Sequence, residues 1–162
     1  MAENVIRGLL FGRKVGSVLI VGEDNKGASA VMEYLLSVQQ QASGMKISSA
    51  GIGGEGGAPL PQKIITYLQS IGMDARAFRT RVYSPRAAAD YELLLATSMG
   101  VKGLLLFLNQ GAAVYTLSEY ALTGSDVGNL EGMNEAEFQS TMEMLNTMAQ
   151  RIAARASKNK IF

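Results

Sequence analysis

Residues able to do chemistry concentrate in one loop. Between the apolar run Ser17-Val-Leu-Ile-Val21 and a stretch that reads as helix from Ala28, the chain runs Gly22, Glu23, Asp24, Asn25, Lys26, Gly27, Ala28, Ser29. A loop delivered by a strand and closed by a helix start presents backbone N–H groups and the positive end of the helix dipole, an arrangement that cradles phosphate and other anions. Lys26 adds a favourable point charge. Glu23 and Asp24 oppose it, since each disfavours an anion and either carboxylate can fold inward and cap the N–H groups itself. For covalent chemistry the loop offers little. Ser29 is a hydroxyl at a helix start, but the chain has no histidine to activate it, and a hydrogen bond within the loop is the expected role. Asp24 as a nucleophile would need Mg²⁺ and further carboxylates, of which Glu23 is the only local one.

The absences are as informative. With no cysteine and no histidine among 162 residues, thiolate nucleophiles, disulfides, imidazole bases and the usual zinc ligands are excluded together; no metal and no cofactor is expected. A net charge of +1 argues against nucleic acid or an anionic membrane as the main partner. The apolar stretch at the start is broken by Arg7 and Gly8, so it lacks the core of a secretory signal. No later run has the ~18–20 apolar residues of a membrane span. The expectation is a cytoplasmic protein. Arg76, Arg79, Arg81 and Arg86 form the densest basic stretch, read as a solvated surface or as a contact for an acidic or phosphorylated partner. The segment Asn4–Phe11 is apolar enough to pack on the body or on another subunit.

The elements that must position the loop follow from periodicity. Ser17–Val21, apolar throughout and rich in branched residues, reads as a strand buried on both faces of a parallel sheet. Ala28–Gln41 follows as a helix with Val31, Leu35 and Val38 on one side, and Met45–Ala50 as a second strand. Gly51–Ala58 holds five glycines in eight positions, but leads into Pro59 and Pro61 without the spacing of a nucleotide fingerprint. Pro61–Ile71 reads as a helix stopped by Gly72, Glu92–Ala96 as a strand, Val101–Leu108 as an apolar helix and Ala113–Leu117 as a fourth strand. Asn134 caps a long final helix with Glu137 three residues on. Its stripe of Phe138, Met142, Leu145, Ala149 and Ile152 faces the core, and Met142, Met144 and Met148 are read as filler. Alternating strands and helices imply one α/β domain, residues 17–156, after an extension (1–16) and before a short tail (157–162). Its site is expected at the C-terminal ends of the strands.

The same residues carry a resemblance. Val18 to Glu33 resembles the opening of the low-molecular-weight protein tyrosine phosphatases, V-C-x-G-N-x-C-R-S-x-x-A-E, with Asn25, Ser29 and Glu33 matching. Further points follow in order: Ser49-Ala-Gly51, Gly72-Met-Asp74, Arg79-Thr-Arg81, Glu92-Leu-Leu-Leu-Ala96, Val114-Tyr-Thr-Leu-Ser-Glu119 and Asp126-Val127. The resemblance spans roughly residues 17–155 and implies a three-layer sandwich around a four-stranded parallel sheet of order 2-1-3-4.

The family's chemistry is missing from its positions. On this register the nucleophilic cysteine falls on Gly22, the catalytic arginine on Ala28 and the loop glycine on Asp24. The family's D-[IV]-x-D-P reads Asp126-Val-Gly-Asn-Leu130 here, so the general acid falls on Asn129 and its proline on Leu130. Thiolate attack, guanidinium clamping and protonation of the leaving group therefore lack their groups together. The expectation is a catalytically inactive, phosphatase-like protein that acts by binding or regulating a protein partner such as a kinase, a phosphoprotein or a second copy of itself. The alternatives are an anion or phosphorylated-ligand sensor using Gly22–Ser29, and a residual hydrolase.

Overall fold

Six consecutive buried residues, Ser17–Gly22, form β1, one of two inner strands of the sheet. The structure, a computed structural model, describes residues 14–158. β1 pairs in parallel with β2 (Lys46–Gly51) on one side and with β3 (Leu93–Ala96) on the other, and β3 pairs with β4 (Val114–Thr116). The sheet is four-stranded, parallel throughout, in the order 2-1-3-4 implied by the resemblance. A strand covered on both faces cannot alternate polar and apolar residues, which is why β3 and, after Ser17, β1 are apolar without a break.

One face carries α1 (Ala28–Ser37), α2 (Gln62–Ser70), α5 (Leu117–Ala121) and α6 (Glu135–Lys158), packed on Val18, Ile20, Leu93 and Leu95. The other carries the short α3 (Pro85–Ala88) and α4 (Met99–Leu108), packed on Leu19, Val21, Leu94 and Ala96. In α6 the expected stripe is buried, together with Met148, while Met144 lies half-buried at its edge. Its start is a reciprocal cap, Glu137 N–H donating to Asn134 Oδ1 at 2.8 Å and Asn134 N–H to Glu137 Oε1 at 3.2 Å.

Two sequence readings are corrected. α1 stops at Ser37, not Gln41: the chain tightens into a 3₁₀ turn at Gln40–Ala42, and Val38, expected on the core side, is 60% exposed. The fourth strand ends at Thr116 because Thr116 and Glu119 form a capping box that starts α5 at Leu117. Ahead of β1, Val15 is fully buried; its N–H donates to Ala156 O at 2.8 Å, and Gly16 O accepts from Lys46 N at 2.9 Å. The apolar segment Asn4–Phe11 and the last residues of the tail lie outside the described residues. No helix among the described residues is long and apolar enough to cross a membrane.

Candidate functional site

The C-terminal end of β1 delivers the loop Gly22–Ser29 to the start of α1, and the loop takes its shape from Asn25. This residue sits at φ 62°, a left-handed conformation that asparagine tolerates better than most residues, and it is 1% exposed. Its amide is fully used. Nδ2 donates to Ser29 Oγ at 3.0 Å and to Ser49 Oγ at 2.9 Å, and Oδ1 accepts from Arg81 N at 2.9 Å. Ser49 Oγ in turn donates to Glu33 Oε1 at 2.7 Å, which also accepts from Arg81 Nη1 at 2.9 Å. Loop, α1, β2 and the segment before α3 are thereby joined in one closed polar ring. Ser29 keeps the expected role of a hydrogen-bonding residue within the loop.

Of the arginine stretch, Arg81 is therefore a loop support as well as a surface charge. Arg76 is held by Asp74 through a paired contact at 2.8 and 2.9 Å, which lowers the Asp74 carboxyl to about 2, and Arg79 donates to the carbonyls of Arg76 and Phe78.

The glycine-rich segment after β2 is pinned to the back of the loop. A Cβ on Gly51 would lie 2.7 Å from the Asp24 carbonyl carbon and 2.9 Å from Asn25 N, so no larger residue fits without moving backbone. Ile52 N–H donates to Gly22 O and Gly53 N–H to Glu23 O at 2.9 and 2.8 Å. Thr80 anchors the far end of the segment, Oγ1 donating to Glu55 O at 2.7 Å and accepting from Ala58 N at 2.9 Å.

In front of the loop lies a pocket of about 230 Å³. Every one of Gly22, Glu23, Asp24, Asn25, Lys26, Gly27, Ala28 and Ser29 lines it, and the facing wall is Val127, Gly128, Asn129, Leu130 and Glu131. The two segments singled out by sequence are thus brought together. Asp24 is exposed and turned onto its own loop, Oδ1 accepting from Lys26 N at 2.9 Å; one loop N–H is taken in this way by a carboxylate. No side chain caps the start of α1 at Gly27. Asn129 is exposed and engaged locally, Oδ1 accepting from Glu131 N at 2.9 Å. Leu130 is 7% exposed and reaches across towards Gly27. Asp126 points away from the pocket, its Oδ2 accepting from Met99 N at 2.8 Å at the start of α4.

Other lining residues came from elements that the sequence reading did not connect to the loop. Thr97, directly after β3, is 4% exposed and lines the pocket beside Gly22. Its position at the C-terminal end of a parallel strand was the available signal. Lys63, in the first turn of α2, places Nζ 4.3 Å from the Phe138 ring centre and 4.0 Å from Glu135 Oε2. The pocket is lined by Lys26 and Lys63 against Glu23, Asp24 and Glu131, a balance leaning slightly negative. Among the described residues no cluster of acidic side chains could hold a metal ion.

A parallel 2-1-3-4 sheet with a strand–loop–helix cradle at its C-terminal edge defines a phosphatase-type α/β fold. The model of the low molecular weight phosphotyrosine protein phosphatase family matches residues 17–161, and the chain belongs to that family. Among solved structures it is similar to the tyrosine phosphatase AmsI of Erwinia amylovora (TM-score 0.79, 18% identity, covering 88% of this chain and 94% of that one). It is also similar to the tyrosine phosphatase Wzb of Escherichia coli K30 in complex with sulphate (0.78, 20%, 87% and 98%). A third similar structure is the YwlE arginine phosphatase of Geobacillus stearothermophilus (0.77, 21%, 86% and 91%). No curated protein matches the chain.

Proposed function

We propose that this chain is a pseudophosphatase: a family member that performs no phosphoryl transfer and acts in the cytoplasm by binding or regulating a protein, such as a kinase or a phosphoprotein. The observation that carries the reading is the combination of a complete polar ring behind the loop with Gly22, Ala28 and Asn129 in front of it. A chain without any cysteine cannot form the family's thiophosphate intermediate. Asn129 carries no acidic proton for a leaving group, and among the described residues no guanidinium lines the pocket to hold the equatorial oxygens. The ring needs none of these groups to keep its form.

A second reading, a sensor of anions or phosphorylated ligands, is favoured by the uncapped start of α1, by Lys26, and by the hydroxyls of Ser29 and Thr97 around the pocket floor. The sulphate complex of the Wzb relative shows that fold holding an oxyanion. Against it stand Glu23 and Asp24. Residual hydrolysis through Asp24 is the least supported reading, since that carboxylate is bound to Lys26 N.

One pair of measurements decides among the three. Purified protein incubated with aryl phosphates should release no phosphate above the uncatalysed rate; steady release abolished by Asp24→Asn would overturn the proposal. A chemical-shift titration with phosphate, sulfate and phosphotyrosine then separates the other two. Saturable shifts centred on Gly22–Ser29, weakened by Lys26→Ala, establish the sensor. No shift at millimolar ligand leaves protein binding as the function of the fold.

A further inference from the structure

Among the described residues the outer face of α4 is apolar and uncovered, whereas a surface helix ordinarily turns polar residues to water. Met99, Leu104, Leu106, Phe107 and Leu108 are exposed by 55, 49, 47, 74 and 41%, while the inward side is carried by Val101 and Leu105. These five side chains expose on the order of 500 Å², a size at which a patch is often functional, and over half of the ~800 Å² that each partner contributes to a standard interface.

The helix's two glycines lie on the same face. Gly100 and Gly103 are both exposed, and a Cβ built on Gly103 would meet nothing within 4 Å. Glycine is the poorest helix former after proline, and nothing inside the fold requires it at Gly103. Successive residues turn by about 100° around a helix, so Gly100, Gly103 and Phe107 share one line, with Phe107 at its C-terminal end. The face therefore carries both a projecting ring and a notch at backbone level. It carries no charge: Lys102, the one charged residue of α4, lies to the side and is paired with Glu119 at 2.7 Å.

We infer that α4 is the contact through which two copies of this chain pair, antiparallel about a two-fold axis near Leu104, the Phe107 of each copy seated in the Gly100–Gly103 notch of the other. A two-fold contact requires a patch complementary to itself, and a knob and a hole on one uncharged face meet that requirement without like-charge repulsion. The inference is independent of the reading of the pocket.

Sedimentation equilibrium of the full chain should give a particle of twice 17.3 kDa at concentrations up to roughly 100 μM. Phe107→Asp should return it to monomer, with a dissociation constant raised at least tenfold and an unchanged far-ultraviolet dichroism spectrum. Gly103→Ala provides a check against a purely local effect. It should raise the thermal midpoint of the Phe107→Asp monomer, because alanine favours helix, yet weaken pairing of the otherwise native chain by filling the notch. A monomer at every concentration would overturn the inference, as would a dimer indifferent to both substitutions. If only a chain lacking residues 1–13 dimerised, the face would belong to that segment, and the inference would fall.

Discussion

Two regions meet at the loop Gly22–Ser29 and are built on opposite lines. Behind it, Asn25, Ser29, Ser49, Glu33 and Arg81 form a ring in which Asn25, buried to 1% exposure, has each of its polar atoms satisfied. In front of it, Gly22, Ala28 and Leu130 offer little that is polar, and Asn129 turns its oxygen to a neighbouring N–H. The ring holds the shape; the front decides what the shape is used for. A buried polar network is costly when half-satisfied, so the ring cannot erode piecemeal, whereas front residues can change with little consequence for folding. A family member without any cysteine keeps its architecture in this way.

Substitutions at the two regions should differ accordingly. The largest loss is expected from Asn25→Ala, which removes a hydrogen bond from each of the Ser29 and Ser49 hydroxyls, strands the Arg81 N–H and places alanine at a left-handed position. About 3 kcal/mol should disappear from the denaturant-unfolding free energy, lowering the thermal midpoint by roughly 6–12 °C. Gly51→Ala, which drives a Cβ into the loop backbone, should cost about 2 kcal/mol, with amide shifts confined to residues near Asp24 and Asn25. A third measurement asks whether such tightness is peculiar to the ring. Tyr120 is fully buried on the α6 side, and burial pushes its phenol from 10.0 up to about 12. The folded state holds that proton more tightly than the unfolded chain, so this contribution is intact below pH 10 and lost as pH rises through about 12. Tyrosinate absorbance should show one phenol ionising last, together with unfolding. The smallest effect belongs to the front: Asn129→Ala should shift stability by no more than about 0.5 kcal/mol, because only an exposed local turn is lost. A loss at Asn129 as large as that at Asn25 would break the comparison.

Much of this was legible in the chain, and the limits have physical causes. β1 and α6 stood out because unbroken burial and a long stripe leave strong periodic signals. The helices α3 and α5 are too short for a period to show, although their starts are marked by Ser84-Pro85 and by Thr116 with Glu119. In the site, Asn25, Ser29, Glu33 and Ser49 were flagged by resemblance, and all four fall in the ring. Arg81 was read in the basic stretch and in the Arg79-Thr-Arg81 point of resemblance, but not as Glu33's partner, because Glu33 lies 48 residues away and no local pattern announces the pair. Thr97 and Lys63 were missed for the same reason: a pocket assembled at the edge of a parallel sheet draws on segments that only the topology brings together.

The space beside Gly22 has a practical consequence. A side chain begun there would have its Cβ 3.0 Å from Ser29 Oγ and 3.5 Å from the Thr97 methyl, at the head of α1. Because the chain has no other cysteine, Gly22→Cys would introduce a lone thiol whose ionisation can be followed without background. Its acidity would serve as a voltmeter for the cradle, reading how far the helix dipole still outweighs Glu23 and Asp24.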